Sequence, residues 1–291
     1  MAQMGDIKRR IKSVNSTMQI TNAMYLVSSA KVRKAREKVD QTRPYTEAII
    51  ESIKRILSTT KGISHPFLEK REVKKTAYII LSSDRGLAGG FNANLMKAAE
   101  EDLKDRNKDD ITILSYGAKA RDYFERRGYD IEFCVTGITE DPDYVDARRA
   151  GDMLIKKYKE GEIDEVKLVY TKFYSVISQE PEVIQLLPAE MEVEEEVENE
   201  DDKKDLTLTE YDPSPEVVLD YLIPKYINGA IYGALIESSA SQQGARMTAM
   251  ESATNNARDM IDSLGLLYNR ARQASITQEI TEIVAGADAQ A

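Results

Sequence analysis

Tryptophan is absent from this chain, and cysteine and histidine occur once each, as Cys134 and His65. A single cysteine excludes an internal disulfide and suits a reducing compartment. A single histidine argues against a metal site built on imidazoles and against a Ser-His-Asp triad; in ISHPF, His65 reads as part of an exposed turn. Phenylalanine is scarce, with five residues, so a core must lean on Ile, Leu, Val, Met and Tyr. No run of about 18 apolar residues occurs, so no membrane-spanning helix is expected. The opening MAQMGDIKRRIKSVNS lacks the apolar middle of a signal peptide. A formal net charge of −10 argues against general nucleic-acid binding.

What is present is a 291-residue chain with 42% hydrophobic and 31% charged residues, enough for one large domain or two modest ones. It divides into three stretches. Residues 1–62 read as a long helix whose seam runs Ile7, Ile11, Val14, Met18, Thr21, Tyr25, Ser28, Val32, Ala35 and Val39. That alternation of four and three is a heptad repeat. Pro44 should kink the helix, and Gly62 with His65-Pro66 should end it. Residues 74–211 alternate short apolar runs (TAYIIL, ITILSY, DIEFCV, EVKLVYTKFYS, PEVIQLLP) with helical patterns. This predicts an inserted Rossmann-like α/β domain with a parallel-rich sheet, helices on both faces and a final hairpin through Ser178–Pro181. Within it, Glu190–Asp205 holds ten acidic and two basic residues and reads as a solvated loop. Residues 212–291 form a second long helix. Its seam from Leu222 to Ala271 is rich in Gly, Ala, Ser and Thr. About 65 residues at 1.5 Å each would extend about 100 Å, too long to stand without a partner. The expected arrangement is an antiparallel coiled coil of the two terminal helices, with the α/β domain inserted between them.

The candidate for chemistry is SSDRGLAGGFN, Ser82–Asn92, between a strand and a helix. Its glycines, Gly86, Gly89 and Gly90, do not fit G-x-G-x-x-G, and no Lys-Ser or Lys-Thr follows as a phosphate loop requires. It reads as a tight turn in which Asp84 and Arg85 cap, pair with each other or touch a neighbouring chain. No cluster of carboxylates, cysteines or hydroxyls elsewhere supplies a catalytic constellation. A mechanical or docking role fits best; a nucleotide-binding enzyme and a free-standing coiled-coil adaptor are the competing readings.

Three segments, IKRRIKSVNSTMQITNAMYLVSSAKVRKA, SDRGLAGGFN and ARMTAMESATNNARDMIDSLGLLYNRARQASITQEITEIVAGADA, resemble the gamma subunits of the rotary ATP synthase. The resemblance runs in order over the whole chain. Ala88 stands where the family usually has cysteine. The regulatory cysteine pair of chloroplast members is missing, so thiol control is not implied.

The resemblance implies a non-catalytic rotor shaft without a cofactor. The coiled coil would turn inside the hexamer of alpha and beta subunits, with the α/β domain at its base against the epsilon subunit and the c-ring. It would lie peripherally on the cytoplasmic face of a bacterial membrane. Met24 resembles the neck residue facing the beta lever. Residues 1–43 hold ten Lys and Arg against three Asp and Glu. The cluster Lys31, Arg33, Lys34, Arg36 and Lys38 would attract that acidic lever. Arg272, Gln273, Thr277 and Glu279 resemble contacts with a beta loop. Ile276, Ile280, Ile283 and Val284 would turn in an apolar collar of the hexamer. Tyr211 and Asp212 resemble the contact with the c-ring loops.

Overall fold

The computed structural model describes residues 2–60, 65–189 and 211–288. Gly62 and the acidic run Glu190–Asp205 lie outside the described residues. In chain order the elements are α1 (Ala2–Thr59), β1 (Thr76–Leu81), α2 (Phe91–Leu103), β2 (Ile111–Tyr116) and α3 (Ala118–Glu125). There follow β3 (Asp130–Val135), α4 (Tyr144–Lys159), β4 (Glu165–Phe173), β5 (Gln179–Leu187) and α5 (Pro215–Asp288).

The sheet order is β3-β2-β1-β4-β5. The first three pairings are parallel and β4–β5 is antiparallel. This is the α/β architecture expected from the alternating pattern. Every residue of the central strand TAYIIL is buried, as a parallel strand covered on both faces requires. Its pleat separates two cores. Tyr78 and Ile80 join Leu95, Met96 and Phe124 of α2 and α3. Ile79 and Leu81 join Leu154 of α4, Ile53 and Ile56 of α1, and Ile223, Ile227 and Ile231 of α5.

The hairpin differs from expectation. Its turn is Tyr174–Ser178, closed by Ser175 N donating to Ser178 O at 2.9 Å, and Gln179–Pro181 already belong to β5. Pro181 lies opposite Thr171 on an outer strand, a place where a missing N–H is tolerated.

Contacts divide the chain into two compact units: Met1–Ala30 with Arg246–Ala291, and Lys31–Ala245. In the first, the Thr21 and Thr254 hydroxyls are buried and 2.7 Å apart. Ile11 and Ile261 line one groove. As α1 is read backwards α5 runs forwards, so the pairing is antiparallel. In the second, a methyl added at Gly229 would sit 3.8 Å from Thr46 Oγ1, so small residues do bring α1 and α5 close together. The α1 seam from Ile7 to Val39 is buried or half-buried at every named position, and so is the α5 seam at Leu222, Tyr226, Gly229, Gly233, Ile236, Ala240, Gln243, Met247, Met250, Thr254, Ala257, Ile261, Leu264, Tyr268 and Ala271. Pro44 lies inside α1, which continues unbroken to Thr59, held by Ile49, Ile53 and Ile56 in the core.

His65 corrects another expectation: it is buried, only 3% exposed. Its ring lies 5.3 Å from that of Phe67, and its Nδ1 accepts from Phe67 N at 3.3 Å. Nε2 faces Asp220 at 3.5 Å, and Asp220 also pairs with Lys159 of α4. Burial pushes the imidazole below its ordinary value near 6.5, against the pull of Asp220. The unfolded chain therefore binds the proton more readily. Stability from this site is full above about pH 6.5 and falls as the pH drops from there towards the folded value. The thermal midpoint of His65→Asn should lose less between pH 7.5 and 5.5 than that of the parent chain; equal losses would show that His65 does not titrate across folding.

Candidate functional site

The C-terminal ends of parallel strands, at the point where strand order reverses, are where a doubly wound sheet takes its ligand. Here that point lies between β1 and β4. The Ser82–Asn92 loop leaves β1 at this place. Asp84 reaches across the C-terminal ends of β2 and β3: Oδ1 accepts from Ala118 N at 3.1 Å, and Oδ2 accepts from Gly137 N and Thr139 Oγ1, each at 2.9 Å. Ala118 begins α3, so a carboxylate of the chain itself takes the position favourable to an anion. Ser82 Oγ accepts from Ala120 N at 2.9 Å. Asn92 Oδ1 accepts from Ser83 N at 3.1 Å, closing the loop on itself.

The crevice beside the loop is occupied by α5. Ala88 and Phe91 pack on Ala245. The pairing of β1 with β4 ends at Val169, which leaves the next outward-facing backbone groups of β4, those of Thr171, without a strand partner on that side. Two buried serines of α5 replace it: Ser238 Oγ accepts from Thr171 N at 3.1 Å, and Ser241 Oγ donates to Thr171 O at 3.0 Å. A helix thus fills the ligand position of the fold. Asp84 ties down backbone of its own chain and does not pair with Arg85, the neighbour that the sequence offered it.

The basic face of α1 also acquires partners that sequence reasoning missed. Lys31 pairs with Glu140, and Lys34 and Lys38 both pair with Asp141 in the β3–α4 loop, Lys34 at 3.0 Å. Hydrogen bonds from Lys38 and Lys34 hold the Asp141 carboxyl below the usual carboxylate range. Arg33 and Arg36 of the same cluster are exposed. The signal was present in the sequence: Lys31, Lys34 and Lys38 follow helical spacing, and Glu140-Asp141 is an adjacent acidic pair.

The other predicted residues are spread along the helices. Met24 is half-buried on α1. Tyr211 is half-buried, its hydroxyl 3.4 Å from Thr59 Oγ1, and Asp212 is exposed. Arg272, Gln273, Thr277 and Glu279 are exposed on α5, and every residue from Ile276 to Asp288 is exposed. Glu279 Oε1 accepts from Ser275 Oγ at 3.4 Å. Ile276, Ile280, Ile283 and Val284 are 48%, 56%, 71% and 54% exposed. These four form an apolar stripe without a covering helix among the described residues. No helix among those residues is long and apolar enough to cross a membrane.

The loop geometry separates two glycines. At Gly117, φ is +93° and an added Cβ would stand 2.5 Å from the Ser82 carbonyl oxygen; at Gly86 nothing lies within 4 Å. Gly117→Ala should destabilise the chain by about 3 kcal/mol or more, whereas Gly86→Ala should stay within about 0.5 kcal/mol. Urea unfolding midpoints check both; similar shifts would contradict the tight approach at Gly117.

Comparison with known proteins places this geometry. A family model described as ATP synthase matches residues 3–290. The ATP synthase gamma chain of Alkaliphilus metalliredigens is 56% identical over 98% of this chain and 98% of its own length. The sodium ion specific gamma chain of Acetobacterium woodii is 50% identical, covering 98% of this chain and 97% of its own. Among solved structures, a chain of the Euglena gracilis mitochondrial ATP synthase aligns with a TM-score of 0.70 at 16% identity, covering 99% of this chain and 95% of that one; at that identity it speaks to the fold alone. With half or more of its residues identical to gamma chains over nearly its full length, the chain belongs to the ATP synthase gamma-chain family.

Proposed function

We propose that this chain is the central rotor shaft of a bacterial ATP synthase, a non-catalytic subunit that couples ion-driven rotation of a c-ring to conformational change in the beta subunits. The observation that carries this beyond family membership is the exposed apolar end of α5. Ile276, Ile280, Ile283 and Val284 remain 48–71% exposed. Such a stripe on one helix needs an apolar surround, and non-directional contacts can be remade at each rotary step. A buried ion pair there would hold one angle.

In this reading residues 1–62 and 212–291 are the shaft and residues 74–211 the domain at its base. Met24, Lys31 and Arg33 face the beta lever, and Arg272, Gln273, Thr277 and Glu279 meet a beta loop. The apolar end of α5 turns in the alpha–beta hexamer. Tyr211 and Asp212 approach the c-ring, and the epsilon subunit packs nearby. The complex holds the chain peripherally on the cytoplasmic face of the membrane, and no cofactor is needed. Lys31 serves in two ways: its Glu140 partner positions the ammonium group, which at 40% exposure still projects a field.

Two measurements test the reading. Purified with alpha and beta subunits, the chain should appear as one copy per hexamer, and ATPase activity should depend on the assembly. Ile280→Asp should then lower the yield of assembled complex, because a charge in an apolar collar costs on the order of a few kcal/mol. Truncation after Ser275 should be milder, since it buries no charge. Full assembly and parent rates with Ile280→Asp would remove the collar.

A further inference from the structure

The run Ser238-Ser239-Ala240-Ser241 in α5 is buried, with Ser238, Ser239 and Ser241 only 6%, 2% and 0% exposed. Alanine would fill these positions with nearly the same volume and without desolvating a hydroxyl, which costs about 1–3 kcal/mol when unmatched. Each hydroxyl here is matched to backbone of the α/β domain. Ser238 and Ser241, one turn apart, hold the N–H and C=O of the single residue Thr171 at 3.1 and 3.0 Å. Ser239, on a different face of the helix, donates to Glu140 O at 3.2 Å. The loop so held is the one whose acidic side chains take Lys31, Lys34 and Lys38 from α1.

Given the shaft role proposed above, we infer that these three serines form the torque-bearing joint between the α/β domain and the helices: positioning residues that fix the angle of α5 at the end of the sheet. The apolar core around Ile223, Ile227 and Ile231 opposes separation of the helix from the sheet, but its contacts are non-directional. The serine bonds are directional. Advancing α5 by one residue turns it about 100° and shifts it about 1.5 Å, which breaks both bonds to Thr171 together. The Ser239–Glu140 bond and the lysine pairs grip at a second azimuth, so the helix cannot pivot about the first.

The test uses the complete ATP synthase carrying the Ser238→Ala/Ser241→Ala double variant, assembled in inverted membrane vesicles. ATP hydrolysis and the membrane potential generated per ATP hydrolysed are read on the same preparation, with a voltage-sensitive dye that responds whichever ion is moved. The expected result is hydrolysis largely retained, with potential per ATP down at least about twofold, because the buried groups of Thr171 lose their partners and the joint slips under load. Ser238→Thr, which keeps a hydroxyl, should remain coupled. An unchanged ratio, or an equal fall in hydrolysis and pumping, overturns the inference, the latter by showing a purely structural role. Should the double variant not assemble, Ser238→Ala alone is read by the same criteria. A parallel preparation lacking this chain tests the shaft reading separately: if that preparation hydrolyses ATP and pumps like the complete complex, the shaft reading itself fails, whatever the serine variants do.

Discussion

A helix laid across the end of a sheet must satisfy the backbone groups that it covers, since a buried N–H or C=O without a partner costs about 1–3 kcal/mol. That constraint organises the middle of this protein. Past Val169 the edge of β4 has no neighbouring strand on its β1 side, and α5 passes there with serines in place of apolar residues. The loop after β1 faces the same requirement at the start of α3 and meets it with Asp84. Both solutions consume donors and acceptors that a nucleotide-binding relative of this architecture would leave for its ligand. The fold's usual site is thereby converted into a joint.

Close approach of the helices follows from the same economy of side chains. Gly229 and Gly233 beside Thr46 and Tyr226 line one groove between α1, α5 and the sheet. Small seam residues bring the backbones together but bury little apolar area, so the coil gains less from each turn than a leucine seam would. Around the α/β domain the deficit is offset by the core on Ile223, Ile227 and Ile231. Within the unit of Met1–Ala30 and Arg246–Ala291 no such sheet is present among the described residues, and the Thr21–Thr254 bond is a polar contact in the seam.

Charge is distributed in keeping with this. The chain is acidic as a whole, yet α1 carries an excess of cations, three of which are engaged by Glu140 and Asp141. Exposed pairs of this kind contribute at most about 1 kcal/mol each. Their value is placement: they seat the β3–α4 loop, whose backbone at Gly137 and Glu140 is then held by Asp84 and Ser239.

Periodicity by itself determined the long helices, their seams and the sheet with its two covered faces. These are one-dimensional signals: spacing of apolar residues decides which face must be buried, and every named seam position is buried or half-buried. The failure of SDRGLAGGFN to match a phosphate motif was legible in the same way. Tertiary structure alone decided the rest. His65 lies beside a proline and reads as a turn, but Phe67 and Asp220 enclose it. The partners of Lys31, Asp84 and Ser241 lie between 34 and 109 positions away, beyond the reach of any local pattern. A polar residue carries no mark in the sequence of whether it will meet water, a partner chain or backbone of its own fold. Only the path of the chain through space settles which, because hydrogen bonds act over about 3 Å whatever the separation along the chain.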